Sequence, residues 1–144
     1  MPSTDFPPIN VSGLHARTVA VVLQIDEQCR ELAARRLAEG PSAAKLRERI
    51  ASYKASGASE WLVDFNRTAA DLLDRDARLL ALLDLQSYDR VTGNPRHFEL
   101  NLYDELVREA CGMPSASPCL ALERASFARR ATQRHFALGC EAAA

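Results

Sequence analysis

The sequence predicts an all-α protein, a compact single-domain bundle of about five helices. Apolar residues recur at steps of three and four through most of the chain, which is the period of an amphipathic helix. No stretch alternates apolar and polar residues for long enough to predict a β-strand. Serine, glycine and proline interrupt the apolar pattern at the points where helices are expected to begin and end.

The two ends of the chain lack this period. Residues 1–11 contain three prolines and predict an extended N-terminal arm, because proline lacks the backbone donor that a helix needs. Residues 12–140 carry the periodic pattern and are expected to form the helical domain. Residues 141–144 form a short C-terminal tail.

A glycine–proline turn separates the first two predicted helices. Ser12 is expected to cap helix one, which runs for about seven turns as far as Gly40 and Pro41. Ser42 is expected to cap a shorter helix two, which ends near Gly57.

A third helix is predicted to begin after Ser59. Its apolar positions predict one continuous buried stripe, made of Trp61, Leu62, Phe65, Ala69, Leu72, Leu73, Leu79, Leu80 and Leu83. The pattern stops at residues 86–96, where glycine, proline and asparagine predict the longest internal loop.

Two further helices are predicted after this loop. Helix four starts near Phe98 and is terminated by Gly112 and Pro114. Residues 117 and 118, a serine followed by a proline, are a typical helix start, and helix five is expected to continue to Gly139.

Length and composition describe an ordered globular protein. The 144 residues are 47% hydrophobic and 26% charged, and the formal net charge of -1 excludes a global field that attracts nucleic acid or anionic lipid. There is no 18-residue apolar run and no secretory signal, so we expect a cytoplasmic protein that does not bind a membrane. Lys45 and Lys54 are the only lysines among the 18 basic residues, a bias towards arginine that suggests a GC-rich, bacterial genome.

No motif of a catalytic or cofactor-binding site is present. There is no glycine-rich phosphate loop and no G-x-S-x-G elbow, and the three histidines, His15, His97 and His135, lie on different predicted elements. The acidic residues of helices three and four lack the Glu-x-x-His pairs of a di-metal carboxylate bundle. We therefore predict no enzyme activity, no catalytic residues and no cofactor.

Four residues near the C-terminus have the chemistry of zinc ligands: Cys111, Cys119, His135 and Cys140. Structural zinc sites usually contain two ligands separated by two to four residues, and seven residues separate the first two cysteines. We therefore predict no metal site and reduced cysteines, while leaving open whether the four residues converge in space.

The charges are distributed unevenly along the chain. Acidic residues outnumber basic ones by 11 to 6 within residues 60–109, whereas basic residues outnumber acidic ones by 8 to 5 within residues 14–57 and by 4 to 1 within residues 113–140. Two interpretations remain open. The acidic side chains pair with arginines across the surface of the bundle, or a basic surface binds an acidic partner.

A basic amphipathic segment near the C-terminus is the first candidate partner-binding surface. Its arginines are Arg124, Arg129, Arg130 and Arg134. Helices of this type bind acidic grooves of other proteins, nucleic acid or anionic lipid. A helix that packs on the bundle with its arginines in water has the same sequence pattern. The leading hypothesis is a non-enzymatic regulatory or adaptor module that binds another macromolecule through a charged helical face. A protein is the favoured partner, and a homodimer is compatible with the sequence.

The alternative hypothesis is a helix-turn-helix transcriptional regulator that binds DNA through the basic segment 30–54. Its candidate nucleic-acid-binding residues are Arg35, Arg36, Lys45, Arg47 and Arg49. Two features weaken this hypothesis. The turn between the helices is about two residues longer than is usual for the motif, and only Arg47 among the recognition positions is a good base reader. An αα-hairpin within a bundle explains the same pattern.

Overall fold

The computed structural model describes residues 5–115, and its regular elements in that range are five α-helices with no strand. These helices are α1 (Ala16–Glu39), α2 (Ala43–Ala55), α3 (Glu60–Arg75), α4 (Ala77–Thr92) and α5 (His97–Ala110). The predicted all-α class is confirmed. The predicted helix five, at residues 117–139, lies outside the described residues.

Serine caps begin α2 and α3 as the sequence predicts. The Ser42 hydroxyl accepts a hydrogen bond from the Lys45 amide at 3.1 Å, and the Ser59 hydroxyl accepts one from the Leu62 amide at 3.4 Å. The predicted cap of the first helix at Ser12 is wrong, since α1 begins at Ala16. His15 takes this role, because its Nδ1 atom accepts a hydrogen bond from the Arg17 amide at 3.2 Å.

The prediction of one long third helix is also wrong. Residues 59–83 belong to two helices, α3 and α4, which are separated by Asp76 alone. Asp76 has extended backbone angles, φ -159° and ψ 115°, and its amide donates to the Leu72 carbonyl at the end of α3. Its carboxylate accepts from the Arg78 amide at the start of α4. The break contains neither glycine nor proline, which explains why the apolar pattern runs through it.

The loop predicted at residues 86–96 is largely helical. α4 continues to Thr92 and ends at Gly93, whose φ of 73° is the left-handed conformation that glycine adopts readily. Asp89 is only 4% exposed, so an acidic residue occupies a buried position of α4. Because this buried position carries an aspartate where an apolar residue is expected, the apolar pattern ends before the helix does.

Contacts between Cα atoms divide the chain into two compact units. The first comprises Met1–Phe6 and Glu27–Gly93, and contains most of α1 together with α2, α3 and α4. In the described part of the chain, the second comprises residues 7–26 and 94–115, and contains residues 16–26 of α1 together with α5. The domain boundaries at residues 12 and 140 stay a prediction.

Within the first unit, α2 and α3 form an antiparallel hairpin. Residues 56–59 connect the helices at one end, and Arg47 near the start of α2 contacts Asp71 and Asp74 near the end of α3. Leu46 and Val63 are among the buried side chains of this hairpin. Burial of such apolar area is the main favourable contribution to folding.

Within the second unit, α5 contacts the start of α1. The buried Tyr103 hydroxyl donates a hydrogen bond of 2.7 Å to the Asp26 carboxylate. Buried polar groups of this kind need such partners, because an unpaired one costs about 1–3 kcal/mol. Val22, Ile25 and Leu106 are buried in the same unit.

In the part of the chain that the structure describes, no helix has both the length and the apolar character required to cross a membrane.

Candidate functional site

Two large aromatic side chains lie exposed on the first two turns of α3. Trp61 is 72% exposed and Phe65 is 48% exposed. Their ring centroids are 5.6 Å apart and the ring planes differ by 19°, so the rings stack on each other. We call these two residues the aromatic pair.

The exposure of the aromatic pair corrects the predicted buried stripe of helix three. The buried residues of α3 are Val63, Asn66, Ala69, Ala70 and Leu72. Because successive residues turn by roughly 100° around a helix, the aromatic pair lies at the edge of this buried face. Leu83 of the predicted stripe is also exposed, on α4. The apolar stripe is therefore wider than the surface that the fold covers.

Acidic residues form a second row beside the aromatic pair. Glu60 and Asp64 directly precede the two aromatic residues and are one helical turn apart, so they lie next to each other on α3. Arg67 donates a hydrogen bond of 3.2 Å to the Asp64 carboxylate. Among the described residues, the Glu60 side chain has no ion pair. We call Glu60 and Asp64 the acidic row.

Ion pairs hold the C-terminal half of α3 against α2. Arg47 donates hydrogen bonds to Asp71 at 3.2 Å and to Asp74 at 2.6 Å. The hydrogen bond to Asp74, followed by that to Asp71, raises the pKa of Arg47 above its ordinary value, so this side chain stays charged. These two aspartates are turned roughly 130° around the helix from the aromatic pair, which leaves the pair clear of α2.

Carboxylates pair with four of the five predicted nucleic-acid-binding residues. Besides the two bonds of Arg47, these ion pairs are Arg35 with Glu31 at 3.6 Å, Arg36 with Asp84 at 2.6 Å, and Lys45 with Glu48 at 3.4 Å. Arg49 is exposed and has no ion pair within residues 5–115. The acidic residues of α3 and α4 thus meet basic residues of α1 and α2 at two places.

A shallow depression of about 320 Å³ lies where Arg35 and Arg36 are found. Its other lining residues are Leu32, Glu39, Gly40 and Asp84. The two arginines there are already paired with carboxylates, so the depression offers an anionic ligand little uncompensated charge.

Several predicted site residues lie outside the described residues. They include the four candidate partner-binding arginines, Arg124, Arg129, Arg130 and Arg134, and three of the four possible zinc ligands, Cys119, His135 and Cys140. Cys29 is buried and Cys111 is half-buried. Within residues 5–115 no three His, Cys, Asp or Glu side chains are grouped as a metal site requires.

A buried ion pair at the start of α4 is a further feature that the sequence analysis did not predict. Arg78 is fully buried, and its guanidinium donates to the Asp76 carboxylate through Nε at 3.1 Å and through Nη2 at 2.7 Å. The guanidinium also lies 5.3 Å from the centre of the Phe6 ring, within cation–π range. The sequence signal was an arginine two residues after an aspartate in a strongly apolar run.

No protein-family model, no curated protein and no solved structure matches this chain.

Proposed function

We propose that this protein is a non-enzymatic interaction module that binds another protein through the aromatic pair of α3. The observation that supports the proposal is the exposure of Trp61, 72%, and its stacking on Phe65. Tryptophan is usually well buried on average, and it is among the residues most enriched at the energetic centres of protein interfaces. Burial of these rings by a partner is the most direct account of their position.

The charge beside the aromatic pair favours a protein over nucleic acid or lipid. Exposed aromatic rings also stack on unpaired bases and enter membrane surfaces, but both of those partners are anionic and are attracted by Lys and Arg. Here the neighbouring row is Glu60 and Asp64. A phosphate close to these carboxylates is repelled, whereas a protein surface can present a complementary charge.

The aromatic pair is the centre of the proposed interface and not the whole of it. A stable interface covers about 800 Å² on each partner, and one aromatic side chain supplies about 150–250 Å². The surrounding polar residues of α3 complete the contact. Such a rim excludes water around an apolar centre and contributes less of the binding energy.

The ion pairs of segment 30–54 make DNA binding the weaker hypothesis. A phosphate that binds Arg36 or Arg47 must first displace a carboxylate at 2.6 Å. Phosphate affinity depends on the number of cations that are free to neutralise the backbone. We therefore retain the interaction module as the proposal.

The test compares three baits in affinity capture from host lysate: the wild type, Trp61→Ala with Phe65→Ala, and Tyr88→Ala with Val91→Ala. Tyr88 and Val91 are exposed apolar residues of α4, 64% and 88% accessible, and serve as the matched control. We expect a protein that the wild type and the α4 control retain and that the α3 variant loses. The same protein, once purified, should bind the α3 variant at least about 10-fold more weakly, as loss of a central anchor predicts.

Circular dichroism establishes that all three baits keep the same helicity. An identical set of retained proteins for the three folded baits contradicts the proposal. Retention that is lost on nuclease treatment, and that is unchanged by the α3 substitutions, instead supports binding of nucleic acid at another surface.

A further inference from the structure

We infer that the partner has an apolar groove with lysine or arginine side chains along one rim, and that α3 enters this groove as a ridge. This inference rests on the proposed function, and it specifies the chemistry of the partner. It depends on three features: the projection of the aromatic pair, the position of the acidic row, and the point along α3 where exposure ends.

The aromatic pair projects from a single helix. Trp61 and Phe65 are one turn apart, stack at 5.6 Å, and are both more accessible than the residues that follow them, at positions 62 and 66. A projecting row of large side chains at i and i+4 is the ligand half of helix-in-groove recognition. The complementary surface is concave and apolar.

The acidic row lies along one side of this ridge only. On the opposite side of the aromatic pair α3 carries Leu62, Asn66 and Ala69, which are uncharged and are half-buried or buried within the fold. Arg67 already pairs with Asp64, whereas Glu60 has no ion pair among the described residues. The charge that complements this arrangement is a basic rim on the side of Glu60 and Asp64, so the groove binds α3 in one orientation.

The ridge is short. Thr68 is exposed one turn after the aromatic pair, and Leu72 one turn further is 9% exposed. The accessible row therefore covers residues 60–68, a length of about 12 Å at 1.5 Å per residue. A groove that accepts slightly more than two helical turns is sufficient.

The experiment uses the partner identified by its dependence on Trp61 and Phe65. Binding is measured for the wild type, for Glu60→Gln with Asp64→Asn, and for Glu31→Gln with Glu48→Gln. The last variant removes the same number of charges from exposed residues of α1 and α2. We expect the acidic-row variant to lose about 10-fold in affinity and most of its salt dependence, and the control to change less than about 2-fold.

A second measurement tests the groove itself. Trp61 is the only tryptophan of the chain, so labelling with 5-fluorotryptophan gives one ¹⁹F resonance that reports this position. In a groove the ring loses contact with water, and the difference in ¹⁹F shift between H₂O and D₂O disappears on binding. A difference that persists in the saturated complex shows a flat contact and overturns the inference.

The failures of the two proposals are distinguishable. If the acidic-row variant binds as the wild type does while the aromatic variant does not bind, the basic rim is wrong and the interaction module stands. If no captured protein depends on the aromatic pair, the proposed function fails and the inference fails with it. Circular dichroism of the acidic-row variant is required as well, because Glu60 lies in the first turn of α3, where a carboxylate stabilises the helix.

Discussion

The first turns of α3 and α4 differ in which side chains they bury. Trp61, a large apolar residue, is 72% exposed at the start of α3, and Arg78, a charged residue, is fully buried at the start of α4. Both segments are apolar in composition, and one residue separates the two helices. Their difference shows that an apolar period identifies a helix without establishing how deeply each face is buried.

The buried arginine is stabilised by specific partners. The Asp76 carboxylate accepts hydrogen bonds from both the amide and the guanidinium of Arg78, and the Phe6 ring lies against the guanidinium. Residues 77–82 are all buried around this ion pair. At the start of α3, by contrast, Val63 is the only buried residue among positions 60–65. The start of α3 therefore leaves far more of its side-chain surface in water than the start of α4 does.

The largest effect is expected at Asp76. Replacement by alanine leaves the buried Arg78 guanidinium without its carboxylate and removes the side-chain cap of α4, so we expect a loss of about 3–5 kcal/mol in the free energy of unfolding. Urea denaturation followed by circular dichroism measures this loss.

Two further variants separate the contributions of Asp76. Asp76→Asn retains an N-cap acceptor and should fall between the wild type and Asp76→Ala. Asp71→Ala removes an exposed carboxylate from the same region, and Arg47 keeps Asp74 as a partner. Equal unfolding midpoints for Asp76→Ala and Asp71→Ala would show that the buried ion pair stabilises the protein no more than an exposed ion pair does.

The next effect compares two apolar truncations. Leu80→Ala, at a side chain that is 1% exposed, should cost about 2–5 kcal/mol through lost transfer energy and the cavity that remains. Trp61→Ala removes a larger side chain and should cost less than about 1 kcal/mol, because most of that side chain is already in water. Thermal melts of the two variants test this order, and a larger loss for Trp61→Ala contradicts the exposed position of the aromatic pair.

The smallest effect is expected at the ion pairs between α2 and α3. Arg47→Ala should lower the urea midpoint slightly at low salt, and the difference from the wild type should vanish in about 1 M NaCl, where charges are screened within about 3 Å. The Asp76→Ala loss should persist at the same salt concentration, since buried pairs are screened much less. Salt thus distinguishes the exposed ion pairs from the buried one.

The sequence was sufficient where local signals decide the structure. The hydroxyls of Ser42 and Ser59 accept hydrogen bonds from amides of α2 and α3, so the starts of these helices follow from capping chemistry alone. The uneven charge left two interpretations open, and the ion pair of Arg36 with Asp84 is one contact of the internal kind.

The sequence was insufficient where the depth of burial decides the structure. At Asp76 the aspartate of an apparently continuous helix binds an arginine two positions later, and the backbone turns without glycine or proline. At Trp61 the residue is apolar, yet 72% of it is exposed. Periodicity contains no information about which neighbour is present, so neither the break nor the exposed pair could be derived from spacing.

The single-residue connection between α3 and α4 also limits how this chain can change in length. Adding or deleting one residue at position 76 changes the phase of α4 relative to α3, because no longer linker is present to absorb the change. Such a change would turn the apolar side of one helix away from its neighbours and separate the aspartate from its arginine. The segment 93–96, by contrast, is exposed for the most part and connects α4 to α5 over four residues. Insertions should therefore accumulate between α4 and α5, while the spacing from Ser59 to Gly93 stays constant.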